Sequence, residues 1–215
     1  MGTGEGAGSR AIEAALRTLN PVVGWEDFRE RVAQFDGGEL TNASSAIPYA
    51  VVFPPLHARS IVYTTKSSVA GSLFVSADDV VPIGIIARYG LPRVEDFEGI
   101  ARVVRDFQVY FLGDCDPFDL LVFAWLRQYL SIHFLGTSDS VVAALGVDIN
   151  EQIMIPLSDE EKLAMSLLRE LWPDYAASIG PNCARMLDGN RKLELEALAS
   201  FRRCPIDNLL QLLTK

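Results

Sequence analysis

The spacing of apolar positions changes character along this chain. Behind Ser9, Ile12, Ala15, Leu16 and Leu19 recur at helical intervals until Asn20-Pro21 stops them. A second stripe, Trp25, Phe28, Val32 and Phe35, carries Glu26, Asp27, Arg29 and Glu30 on its wet side and breaks at Asp36-Gly37-Gly38. From Ile47 onward the pattern shifts to short, nearly continuous apolar runs at 47–53, 60–63, 80–87, 109–112 and 132–135, which predict buried strands. Helical patterns at 94–105, 117–129 and 137–145, the last capped by Thr137, fall between or after the later runs. Strands separated by helical crossovers predict a mainly parallel sheet with helices on both faces, a Rossmann-like α/β architecture.

The last third is predicted to be helical. Ser158 and Glu161 have the spacing of a capping box, and Leu163, Leu167, Leu168 and Leu171 form the expected buried stripe of the helix they open. Further helices are expected over 182–187, 191–199 and 205–213. The chain thus divides into a glycine-rich leader (1–10), a helical N-terminal appendage (11–46) and an α/β domain with C-terminal helices (47–215).

Composition narrows the function classes. With 215 residues, 49% of them hydrophobic, the chain has the material for one substantial core. Its apolar runs are too short to span a bilayer and its N-terminus has no signal-peptide core, so a cytoplasmic protein without membrane association is expected. Cys115, Cys183 and Cys204 form no CxxC pair, so the expectation is reduced thiols rather than a zinc site or disulfide framework. A net charge of -9 opposes tight nucleic-acid binding by the global field and leaves it to a local basic patch or a bound divalent cation.

The most informative segment is Gly113-Asp114-Cys115-Asp116-Pro117-Phe118-Asp119. Two carboxylates two positions apart at a strand end project to one side, with Cys115 facing away. Pro117 suits a first helical turn and Asp116 its cap, so the corner aims both acids at the crevice above the sheet, where parallel sheets hold ligands. Clustered carboxylates suit hard cations, Mg2+ or Mn2+; the same residues also serve as plain helix caps. Lys66, Arg88 and Arg93 follow strand ends near this crevice and are candidate phosphate contacts, or ordinary surface charge. Phe107, Tyr110, Phe111, Phe118, Phe123 and Trp125 are expected in the core, His57 and His133 as structural residues, and the stretch 95–99 as a solvated helix face.

Several ordered segments together resemble the Toprim domain of the topoisomerase VI A subunit and its meiotic double-strand-break relatives. Gly84-Ile-Ile-Ala-Arg-Tyr-Gly90-Leu-Pro92 resembles that family's strand and glycine-proline turn. The run from Gly113 to Phe118 resembles its Asp-x-Asp-Pro-aromatic metal motif, Pro156-Leu-Ser-Asp159 its Leu-Thr-x-x-Asp region, and Lys192-Leu-Glu-Leu-Glu-Ala-Leu198 its Lys-x-Glu-Leu-Glu-Ala-Leu helix. The resemblance spans 59–199 and implies a weakly held Mg2+ or Mn2+ at Asp114 and Asp116, which would then be catalytic residues acting on DNA.

Two departures qualify what it implies. Thr65 stands where the family has a glutamate before Lys66, so one metal-binding carboxylate is missing; Asp119, at a position usually glycine, is a candidate third ligand or a residue that favours the helix N-terminus. No tyrosine precedes Tyr49, and the stretch before Ser60 is too short for the family's winged-helix domain with its attacking tyrosine, so topoisomerase activity by this chain alone is not expected. A metal-dependent nuclease or nicking subunit with a protein partner or a second copy of itself, a catalytically degenerate binding or assembly module, and a small-molecule phosphotransferase remain as readings.

Overall fold

The computed structural model describes residues 50–52, 58–66, 83–88, 90–92 and 96–202. The leader, the two helices expected in the N-terminal appendage, the helix expected at 205–213, and Tyr49, His57 and Arg93 lie outside them.

A five-stranded sheet forms the centre. Strands β1 (Ala50–Val52), β2 (Ser60–Thr64), β3 (Ile83–Ala87), β4 (Gln108–Leu112) and β5 (Ile132–Phe134) lie in the order β1-β3-β2-β4-β5. β2, β3, β4 and β5 are mutually parallel, and β1 runs antiparallel at the edge against β3. Every residue of β2 and β3 is buried, as expected of strands covered on both faces. Helices flank the sheet: α1 (Phe97–Val104), α2 (Pro117–Leu126) and α3 (Asp139–Ala144), followed by α4 (Asp159–Leu171), α5 (Tyr175–Ile179), α6 (Pro181–Asp188) and α7 (Leu195–Arg202).

Register sets up the site. β2 pairs with β4 from Ser60↔Gln108 to Thr64↔Leu112, so both strands end level. Thr65 and Lys66 therefore leave the sheet beside Gly113 and Asp114. All ten residues of α2 are buried, which explains its nearly uninterrupted apolar sequence; it packs against α4 and anchors to the strand side through Trp125, whose indole donates to Pro92 O at 3.1 Å. Tyr63 stacks on Phe111 with ring centroids 6.2 Å apart, and Phe111, Phe123, Phe134 and Trp172 continue an aromatic core behind the corner.

The C-terminal segment returns to that corner. A two-stranded ribbon, β6 (Ile155–Pro156) against β7 (Arg191–Lys192), leads Leu193 into an antiparallel bridge with Cys115. The capping box at Ser158 forms as predicted, with Glu161 N–H donating to Ser158 Oγ at 3.2 Å and Ser158 N–H to Glu161 Oε2 at 2.6 Å.

Several expectations are corrected. Leu163 is 61% exposed and Leu171 half-buried, because the inward stripe of α4 runs through Ala164, Met165, Leu167 and Leu168. Ser138, not Thr137, caps α3; the Thr137 amide is taken by Gly113 O at 3.0 Å. The helix expected over 191–199 begins only at Leu195, its first residues being drawn into β7, and α5 was not legible in the apolar spacing. Phe107 and Tyr110 are half-buried rather than core, and the Tyr110 hydroxyl donates to Gln108 Oε1.

Candidate metal centre

β4 carries an apolar sequence to Leu112 and stops at Gly113 because the corner has no room for a side chain there. A Cβ on Gly113 would stand 2.6 Å from Asp119 Oδ2 and from Phe111 Cε1. The chain then turns through Asp116, whose extended backbone (φ -136°, ψ 162°) ends the corner and caps α2, its Oδ1 accepting the Asp119 N–H at 2.8 Å. Pro117 occupies the first helical turn, where the lack of an amide proton costs nothing.

This geometry gathers three carboxylates. Asp114, Asp116 and Asp119 are 1%, 6% and 7% exposed, and each offers an oxygen within 4.8 Å of the others'. Asp119 ties the corner together: Oδ2 accepts the Asp114 N–H at 2.7 Å and Oδ1 accepts the Thr65 hydroxyl at 2.7 Å. Asp114 is held from two sides, by the Leu195 N–H at 2.8 Å on Oδ1 and by Lys66 Nζ at 2.5 Å from Oδ2. Thr65 thus lies in the corner and is bonded to Asp119, the candidate third ligand. Cys115 is buried, and its interaction with Cys183, together with burial, holds its thiol well above the usual range.

The electrostatics are unbalanced. Asp114 and Asp119 face the ammonium of Lys66, and Asp116 feels that of Lys192, which is itself shared with Glu161 at 2.8 Å and Glu194 at 3.2 Å. Burial, followed by the charge of Asp114, pushes Asp119 up to about 7 despite its hydrogen bonds. Burial and the charges of Asp119 and Asp114 drive Asp116 well above the carboxylate range, and Asp114 is also raised by burial, against the pull of Lys66. Burial works against the Lys66 ammonium, but Asp114 more than offsets it and holds the group charged. Such a site takes up positive charge either as protons or as a cation.

The donor set fits a divalent hard cation. It consists of carboxylate oxygens with a hydroxyl beside them, it is preorganised by backbone amides, and it carries excess negative charge that a cation would neutralise.

The proposed basic contacts divide. Lys66 is half-buried at the lip of the acid corner. Arg88 does not face the crevice: it is 2% exposed, its guanidinium lies 3.6 Å from Asp96, and its amide extends the sheet to Thr64 O at 2.9 Å. The residue following a parallel strand was expected at the surface, but Arg88 is buried beside Asp96. The solvated-face reading of 95–99 is corrected for the described residues 96–99: Asp96, Phe97 and Gly99 are buried, and Glu98, paired with Arg102 at 2.9 Å, is the one among them that is part-exposed. His133 is exposed beside Tyr110.

Sequence reasoning missed the contributions of Leu195 and Glu196. Their signal was present in the segment 192–198, singled out as a motif but not connected to the aspartates. In comparison with known proteins, no family model and no curated protein matches this chain.

Proposed function

We propose that this chain is a Toprim-like protein that binds Mg2+ or Mn2+ through Asp114, Asp116 and Asp119 and acts on DNA as a nuclease or nicking subunit, working with a protein partner or a second copy of itself. The observation that carries the reading is the convergence of three buried carboxylates with one ammonium among them at the carboxyl end of two parallel strands. A cation bound there would polarise a scissile phosphate and activate water. The chain's own residues supply the rest: Asp119 and the Leu195 amide fix the carboxylates, and the aromatic core behind Phe111 keeps water from the rear of the corner. Lys66 is the cationic side chain at the opening that can meet a phosphate oxygen.

Plasmid nicking tests this reading. Relaxation of supercoiled DNA that requires Mn2+ and disappears in Asp116→Ala is the expected result; cleavage indifferent to that substitution contradicts it. The second reading is a catalytically degenerate binding or assembly module, favoured by Thr65 in the place of the family's glutamate. It predicts Mn2+ binding without cleavage, or neither.

A further inference from the structure

The two residues that follow β2 act on the acid corner in opposite senses. Thr65 is a neutral clamp on Asp119, and Lys66 brings a cation. Lys66 Nζ lies 2.5 Å from Asp114 Oδ2 and 3.7 Å from Glu196 Oε2. Both oxygens are shut off from solvent, and apart from Lys66 neither has a hydrogen-bond donor among the described residues. The Lys66 amide is itself anchored, donating to Thr64 Oγ1 at 3.1 Å, so the side chain starts from a fixed point at the end of the sheet. Beyond that point the side chain is 28% exposed and that of Glu196 44% exposed, so Lys66 is in part open to solvent.

We infer that Lys66 is a built-in competitor for the divalent cation: its ammonium holds Asp114 Oδ2 in the metal-free protein, and metal loads by displacing it toward solvent. This inference rests on the metal reading above. An ammonium and a divalent ion at close range on Asp114 Oδ2 repel one another in a poorly solvated pocket, so each weakens the other's hold on it. An ammonium on a flexible four-carbon stem is suited to such exchange, since it neutralises the carboxylate as a point charge and leaves without disturbing the backbone. Lys66 is thus a positioning residue: it keeps the empty corner from collapsing under its own charge and lowers its affinity for metal.

Calorimetric titration with Mn2+ of the wild type, Lys66→Gln and Lys66→Arg tests the inference. Removing the competing charge is expected to tighten Mn2+ binding about tenfold in Lys66→Gln, while Lys66→Arg stays within about threefold of wild type. Equal or weaker binding by Lys66→Gln overturns the competition while leaving the metal site standing; no binding by any of the three removes the metal reading itself. A second measurement needs no variant. In the wild-type chain, reductive methylation of Lys66, followed by mass spectrometry with the exposed Lys162 as internal reference, is expected to accelerate at least about threefold at saturating Mn2+ as the ammonium is released. Unchanged Lys66 labelling in a chain that demonstrably binds Mn2+ overturns the inference.

Discussion

Two places in this molecule bury charge beside the ends of parallel strands, one on either side of β2, and they do so differently. Past β3, among the described residues, the buried Arg88 guanidinium lies 3.6 Å from the buried Asp96 carboxylate. Past β4, Asp114, Asp116 and Asp119 set three carboxylates against Lys66. The first arrangement is an internal brace; the second holds negative charge that the described residues do not neutralise. Burial of ionisable groups therefore does not mark the site by itself. Imbalance does, because only an unbalanced cluster lowers its free energy by taking up a proton or a cation.

The brace and the cluster respond oppositely to loss of a carboxylate. Asp96→Ala removes the Asp96 charge from beside a buried Arg88 and is expected to cost about 3–5 kcal/mol in chemical denaturation, with no dependence on Mn2+. A loss under about 1 kcal/mol would show that the guanidinium finds solvent or another partner, and that the region is less closed than it looks.

The cluster makes stability depend on pH in a particular direction. An unfolded aspartate releases its proton near pH 4, whereas folded Asp119 holds one up to about 7. Between those values the native state binds the extra proton, so its contribution is complete below the unfolded value and is lost as pH rises through about 7, on the order of a few kcal/mol. Metal-free protein is thus expected to lose stability from pH 5 to 8 in thermal unfolding, and saturating Mn2+ to remove much of that loss. A metal-free stability that rises over the same interval would mean that the acids are ionised and paired, contrary to this account.

Smaller effects sharpen the contrast. Thr65→Glu adds a carboxylate beside Asp119 and is expected to raise Mn2+ affinity about tenfold while lowering metal-free stability by a similar free energy, about 1.4 kcal/mol. Unchanged affinity would mean that residue 65 serves only as a clamp. Ser138→Ala, away from both charged regions, is expected to cost about 1 kcal/mol through loss of the α3 cap, with metal affinity unaltered.

What the sequence revealed follows the same division between local and distant causes. The Asp114–Asp116 corner was legible because each step is local: an apolar strand, a glycine where a side chain has no room, an aspartate cap and a proline in the first helical turn. The capping box at Ser158 was legible for the same reason. Arg88 was misplaced because a strand-end position does not reveal a buried partner such as Asp96. Leu163 was misplaced because it follows the leucines in spacing, while the covered side of α4 is set by its packing against α2. Leu195 and Glu196 escaped notice because they reach the corner across a long stretch of chain, through the Cys115–Leu193 bridge and the Leu195 amide.

The claim that most needs testing is that the three aspartates hold a divalent cation in common. Isothermal titration of Mn2+ at pH 7.5 into wild type, Asp114→Asn, Asp116→Asn and Asp119→Asn tests it directly. One site per chain in the wild type, weakened at least about thirtyfold by each substitution separately, is the predicted result. Binding that survives the loss of Asp119, or no binding by the wild type, would contradict it.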